Sequence, residues 1–360
     1  MTFVDRNWAR ICRTYFKLRG LLRVPARPDS VQWLTTSACN LRCAHCGTNA
    51  GRPARDELST AEMKDIVDQL AALGTDEIQL TGGEPLVRPD LFEILRYAAA
   101  RGIRYTLVTN GTHVARFAKE LSELPPAAIK VSVDGIPATH DRLRGAANFD
   151  AAMRALEFFR DLPVGTRVLC TTLNRANCPE LHELFGHVRA SAATHWEFHL
   201  CIREGRAQEN AGWMFLTREE VEALFRFILQ NKGRFPIFLG EGYYGPLTPA
   251  LTDQRFFCGS GWSTFTIMPN GDVAGCPAFE ARWTEGNVRD RPLAWIWRHR
   301  FERFRRLADD LPESCRRCDY LQACGGGCWM ERRTGDHCFR DVWEKWIPGR
   351  QGADVAVRES

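Results

Sequence analysis

The stretch VQWLTTSACNLRCAHC, residues 31–46, sets the reading of the chain. It begins as a β-rich run, Val31 to Thr36, and passes directly into three cysteines, Cys39, Cys43 and Cys46, spaced C-x3-C-x2-C. Three thiols without a fourth nearby are the informative feature. A structural zinc site takes four ligands and closes, and a ferredoxin-type cluster also takes four cysteines. Three leave one iron of a [4Fe-4S] cluster open to a small molecule. A three-thiolate zinc site and a chance spacing remain the alternatives at this point.

Working outward, five more β-rich runs follow: Glu77 to Thr81, Arg104 to Thr109, Ile129 to Asp134, Thr166 to Thr172 and His195 to Leu200. Helical patterns lie between them. Ser59 to Leu73 opens on an N-cap with Glu62 three residues on, and Asp90 to Arg101, Phe149 to Asp161 and Pro179 to Ala190 carry apolar residues at helical spacing. Such alternation means βαβ units and a parallel sheet. Six units fall short of the eight of a closed barrel, so the expected fold is α/β, an open partial (βα)6 TIM-like barrel spanning 31–235. Residues 1–30 are expected to form an amphipathic cap helix, with Trp8 to Arg23 as its basic run. After a helical pattern at Arg218 to Asn231, Gly and Pro become frequent from Gly233 to Pro249, and 236–360 reads as a small Cys-rich, loop-rich domain. Seven of the eleven Trp fall from Trp262 onward, which suggests that aromatics and metal crosslinks compensate a thin core there.

Composition bounds the function. The 360 residues are 44% hydrophobic and 26% charged, ordinary globular usage that excludes disordered and fibrous classes. A net charge of +4, with basic and acidic residues interleaved, demands no nucleic-acid partner. The first thirty residues hold Asp5, Arg6, Arg10, Arg13, Lys17, Arg19 and Arg23, and no run of eighteen uncharged apolar residues occurs, so neither signal peptide nor membrane span is expected. The expected location is cytoplasmic. There the fourteen cysteines are poor candidates for disulfides and good ones for metal ligands, in two regions: Cys39 to Cys46, and seven from Cys258 to Cys338.

The remaining strand ends carry a family resemblance. Thr81-Gly82-Gly83-Glu84-Pro85 follows the second strand, Thr109-Asn110-Gly111 the third, and Ser132-Val133-Asp134-Gly135 the fourth, with His140-Asp141-Arg142-Leu143-Arg144-Gly145 beyond. With the three-cysteine loop, this series resembles the radical S-adenosylmethionine (SAM) superfamily. The resemblance implies that Cys39, Cys43 and Cys46 hold the SAM-binding [4Fe-4S] cluster, and that Gly83 and Glu84 hold the methionine ammonium. It further implies that Ser132 and Arg144 contact the SAM carboxylate or ribose, with the backbone around His45 at the adenine. Asn110 and Asp134 are lesser candidates, each also readable as a turn residue closing a strand. Histidine at 45 departs from the usual aromatic residue. The implied chemistry is reductive cleavage of SAM by an electron from an external flavodoxin- or ferredoxin-type donor, followed by hydrogen abstraction from substrate.

Farther on, C-x12-G-x4-C from Cys258 to Cys276, then Cys315-x2-Cys318-x5-Cys324-x3-Cys328 and Cys338, resemble the SPASM extension, which carries two auxiliary [4Fe-4S] clusters. Zinc ribbons would explain only four of the seven. By the resemblance Cys315, Cys318, Cys324 and Cys338 ligate one cluster, and Cys258, Cys276 and Cys328 the other, one ligand short. Cys201, ending the sixth strand, is expected to face the barrel mouth, where it could complete that cluster, return a hydrogen atom to a substrate radical, or simply pack. Pro277 follows Cys276 where sulfatase-maturating relatives have an Asp base, which argues against that activity. Relatives with this extension most often modify ribosomally made peptides, the first expectation here; about thirty residues before the first strand leave no room for a fused peptide-recognition domain, so a separate carrier protein is a possible partner. A dehydrogenase or epimerase of a sugar or aminocyclitol is the small-molecule alternative. A non-enzymatic iron-sulfur electron carrier or a zinc-stabilised module is the third class, and it leaves the strand-end series unexplained.

Overall fold

In the computed structural model, residues 2–21, 27–145, 147–240, 242–276, 283–305, 311–334 and 338–346 are described. Pro277 lies outside them. The six expected strands are all present: β1 Ser30–Leu34, β2 Glu77–Thr81, β3 Arg104–Thr109, β4 Ala128–Ser132, β5 Thr166–Leu173 and β6 His195–Leu200. They run parallel in sequence order, each paired with the next. Alternating residues explain the layering. Val31, Trp33, Ile78, Leu80, Ile129, Val131, Trp196 and Phe198 are buried and meet the helices, whereas Gln32, Gln79, Lys130 and Glu197, one residue out of phase, face the concave side. The helix Thr60–Leu73 carries Met63, Ile66, Val67 and Leu70 on one buried stripe, and its N-terminus is held by a full Ser59/Glu62 capping box.

The sheet is longer than six strands. A seventh parallel strand, β7 Ile237–Leu239, pairs with β6 just past residue 235. From the cysteine-rich region, β8 Thr264–Ile267 pairs parallel with β1, and β9 Asp272–Ala274 and β10 Gly286–Asn287 extend that edge antiparallel. The C-terminal segment is thus joined to the barrel through main-chain hydrogen bonds as well as side chains. A helix missing from the sequence reading, Pro137–Arg144, follows β4; its mean hydropathy is low and its stripe weak, so it carried no periodic signal.

The N-terminal helix spans Phe3–Leu21. Its partner is the cysteine-rich segment: Phe16 stacks on Phe257 with ring centroids 5.8 Å apart, and Arg13 Nη2 donates to Gly325 O at 2.9 Å.

Trp196 anchors the β6 side of the core. It is fully buried, lies parallel to Phe185 and donates Nε1–H to Thr171 Oγ1 at 2.9 Å. Trp196→Ala is expected to destabilise the fold by about 3–5 kcal/mol, read as a lowered Tm, while Trp196→Phe, which keeps most of the packing and loses one hydrogen bond, is expected to cost less.

Candidate active site

Cys39, Cys43 and Cys46 lie on the loop after β1, along one wall of a cavity of about 320 Å³ at the carboxyl ends of the strands. Gly83 and Glu84 after β2, Asn110 after β3, Ser132 ending β4, Arg144 and His45 line the same cavity. Of the residues singled out in the sequence for this site, Asp134 alone sits behind the wall, with no exposed surface.

The loop's shape is imposed from both sides. Gly83 N donates to Thr36 O and Glu84 N to Ala38 O, each at 2.8 Å, so the end of β2 keeps pairing with the chain that leads to Cys39. A Cβ on Gly82, where φ is +130°, would stand 2.6 Å from Thr36 O, and one on Gly83 would overlap the Ala38 carbonyl. The paired glycines are a steric requirement of that approach. The Glu57 carboxylate accepts from Ser37 N at 2.7 Å and Ala54 N at 3.1 Å. From the far side comes the short helix Gly205–Glu209. Arg206 is buried there, and its Nε and Nη1 donate to Cys43 O at 2.8 Å and Ala50 O at 3.0 Å, while Asn210 Nδ2 reaches Ala44 O at 3.0 Å. Glu57, Arg206 and Asn210 escaped the sequence reading because they act on backbone carbonyls and amides, which impose no residue spacing.

Charge is arranged behind the loop. Asp134 Oδ2 accepts from Arg144 Nε and lies 3.0 Å from His45 Nε2, and Oδ1 accepts from Thr172 N at 2.7 Å. Burial works against the anion, but the Arg144 and His45 interactions outweigh it and hold the Asp134 carboxyl far below the usual range. The same pairing overcomes burial to raise the Arg144 guanidinium. Burial, then the Arg144 charge, lowers the His140 imidazole, whose Nδ1 accepts from Asp134 N at 3.0 Å. Glu84 accepts from Thr109 Oγ1 and Asn110 N, both at 2.8 Å, and from Leu86 N at 3.2 Å; burial nevertheless pushes its carboxyl up. Asn110 Nδ2 donates to Asn40 Oδ1 at 2.9 Å, tying β3 to the cysteine loop. Burial pushes the Cys39 thiol up to about 11, so metal binding there must release protons.

Two of the seven C-terminal cysteines are deeply buried among other thiols. Burial, then the thiols of Cys338, Cys315 and Cys318, pushes Cys324 up to about 12. Burial, Glu331, Cys258 and Cys276 do the same for Cys328, well above the usual thiol range. Cys201 lines a neighbouring cavity with Phe339 and Glu331; burial and the charge of Asp134 push it up to about 12.

These features fit the groups that the sequence implied. Three thiols and the Gly82-Gly83 backbone line one cavity, and among the described residues the buried His45 Nδ1 has no hydrogen-bond partner.

Comparison with known proteins agrees. The family model of the radical SAM superfamily matches residues 33–184, and that of the SPASM iron-sulfur cluster-binding domain matches 258–319. The chain is 30% identical over 311 residues to mycofactocin maturase MftC of Mycolicibacterium smegmatis, covering 84% of this chain and 78% of that protein. It is 31% identical over 320 residues to the AdoMet-dependent heme synthase of Oleidesulfovibrio alaskensis, covering 82% and 81%. Among solved structures, Streptococcus suis SuiB bound to its precursor peptide SuiA superposes with a TM-score of 0.70 at 17% identity, over 92% of this chain and 79% of that one. The anSMEcpe structure with AdoMet and the Cp18Cys peptide gives 0.70 at 20% identity, over 88% and 95%. The chain belongs to the radical SAM superfamily and carries its SPASM extension. It is an enzyme of that class, with [4Fe-4S] clusters and SAM as cofactors, and the electron-carrier alternative falls away.

Two outcomes are expected of this geometry. The triple variant Cys39→Ala, Cys43→Ala, Cys46→Ala should lose about four iron atoms per chain and all 5′-deoxyadenosine formation; unchanged iron would remove these ligands. Asp134→Ala strands the buried Arg144 and should destabilise the protein by about 3–5 kcal/mol, read by thermal denaturation, with Asp134→Asn intermediate.

Proposed function

We propose that this enzyme uses SAM radical chemistry to modify a ribosomally synthesised peptide. In this reading Cys39, Cys43 and Cys46 hold the SAM-binding cluster, and the two C-terminal cysteine groups hold auxiliary clusters. Gly83 and Glu84 receive the methionine ammonium, Ser132 and Arg144 its carboxylate or the ribose, and the backbone at His45 the adenine. Asn110 braces the loop, and Asp134 acts through Arg144 and His45 as a positioning residue. When bound, the cluster and SAM would supply hydrogen-abstraction chemistry, driven by one electron from an external flavodoxin- or ferredoxin-type donor. The protein's share is orientation and exclusion of water.

The observation that carries the peptide reading is a second cavity adjoining the SAM cavity. It has a volume of about 220 Å³, shares Leu200 and Ile202 with the SAM cavity and runs along the end of β6 to the C-terminal segment. Its walls are Phe215 and Phe339, with Arg203 stacked on the first ring at 4.1 Å and Arg218 over the second at 4.9 Å. An elongated substrate with an apolar side chain and a polar backbone suits such a passage better than a compact sugar does. The likeness to MftC and to peptide-bound SuiB supports the same reading. The equal likeness to heme synthases supports a second one, an iron-porphyrin substrate.

Anaerobically reconstituted enzyme with dithionite, SAM and a candidate precursor peptide sought among the reading frames beside its gene is expected to form 5′-deoxyadenosine together with a mass change in the peptide. An unchanged peptide alongside consumption of an iron porphyrin would overturn the peptide reading and leave the SAM chemistry standing.

A further inference from the structure

The concave side of the sheet holds a second group of ligand-type side chains, outside every set assigned above. The β5–β6 register places Cys170 opposite Glu197, and His199, two residues on, shares the same face. One ligand atom from each of Cys170, Glu197 and His199 lies within 4.8 Å of the others. Cys170 and Glu197 are buried, while the His199 side chain keeps 30% of its surface where it lines the SAM cavity.

The imidazole is not part of the hydrogen-bonded network that holds Glu197. His199 Nε2 stands 3.5 Å from Glu197 Oε1, beyond a normal N–H···O separation of about 2.7–3.2 Å. Cys170 Sγ donates to Glu197 Oε2 at 3.7 Å, a normal length for a thiol donor. For metal–ligand bonds of about 2.0–2.3 Å at tetrahedral angles, neighbouring ligand atoms sit about 3.3–3.7 Å apart. The three heads thus stand at separations that one tetrahedral ion could bridge, with the Cys170 thiol donating to the Glu197 carboxylate in the ion's absence. Lys130 Nζ holds Glu197 Oε2 at 2.7 Å, leaving Oε1 for an ion and fixing the carboxylate in the way that outer hydrogen bonds fix metal ligands. On β7's far end, Gly240 makes room for the imidazole: a Cβ there would stand 2.9 Å from His199 Nδ1.

We propose that Cys170, Glu197 and His199 form a mononuclear divalent metal site of zinc type on the barrel floor, distinct from the iron-sulfur sites. Thiolate, imidazole and carboxylate together select a borderline ion such as Zn²⁺ over Mg²⁺ or Ca²⁺. One thiolate and one carboxylate neutralise its charge, and loss of the Cys170 proton accompanies binding. Three protein ligands leave one coordination position, directed toward the SAM cavity, for water or an oxygen donor. The site stands whatever the substrate proves to be.

The test is zinc binding by the cluster-loaded enzyme. After incubation with Zn²⁺ and desalting, wild-type protein is expected to retain about one zinc per chain, and X-ray absorption at the zinc edge is expected to show one sulfur with nitrogen and oxygen neighbours. Cys170→Ala and His199→Ala should each lower retained zinc several-fold at unchanged iron content. Zinc retention by wild type no greater than by either variant would overturn the proposal. So would a zinc edge showing three or four sulfurs, because the ion would then be occupying an unfilled cluster site.

Discussion

A single buried carboxylate organises the active-site end of this enzyme. Asp134 has no exposed surface, yet its two oxygens meet groups from three separate parts of the chain: His45 on the cysteine loop, Arg144 at the end of the helix after β4, and the Thr172 amide on β5. Its own backbone is held in turn, the amide by His140 Nδ1 and the carbonyl by Asn177 Nδ2. An isolated buried anion would be prohibitively costly, and a buried cation equally so. Asp134 and Arg144 satisfy each other only in one relative position of β4, the following helix and the loop. The pair therefore specifies geometry more than it adds net stability, and that geometry presents three thiols to one cavity.

The cysteine loop is otherwise irregular backbone, which must find hydrogen-bond partners when buried. Its partners come from elements distant in sequence: β2's end through Gly83 and Glu84, the segment before the second helix through Glu57, and the segment after β6 through Arg206 and Asn210. The C-terminal cysteines follow the same logic. Arg13 from the N-terminal helix donates to Gly325 O and Arg332 to Gly326 O, so two guanidiniums grip the glycine turn that separates Cys324 from Cys328. These cations lie beside the two thiol groups, where bound clusters would concentrate negative charge.

What the sequence revealed and what it hid divide along physical lines. The six strands, the four helices between them and the helix after them declared themselves because burying one face imposes a period, and Glu77–Thr81, Arg104–Thr109, His195–Leu200 and Arg218–Asn231 were bounded to the residue. The strand ends were legible because each carries a fixed chemical signature. By contrast β8 to β10 have four, three and two residues, too few for a period, and their stability comes from pairing onto a β1 edge that only the fold creates. Arg206 left no signature because its targets are carbonyls. Cys170, Glu197 and His199 are brought together by strand register, and none of the three was singled out in the sequence as a member of such a group.

Register also explains why this barrel has a usable interior. A closed eight-stranded barrel fills its centre with layers of branched side chains. Here many inward positions are polar, and they pair across strands: Thr106 Oγ1 on β3 donates to Glu77 Oε1 on β2 at 2.7 Å, and Lys130 Nζ on β4 reaches over β5 to Glu197 Oε2 on β6 at 2.7 Å. Polar groups paired in this way tolerate burial without an apolar filling. The sheet is left open between β7 and β10, and the volume that branched residues would have taken becomes the cavity above. Polarity on the concave face is thus both the reason the barrel need not close and the source of the side chains that meet whatever enters it.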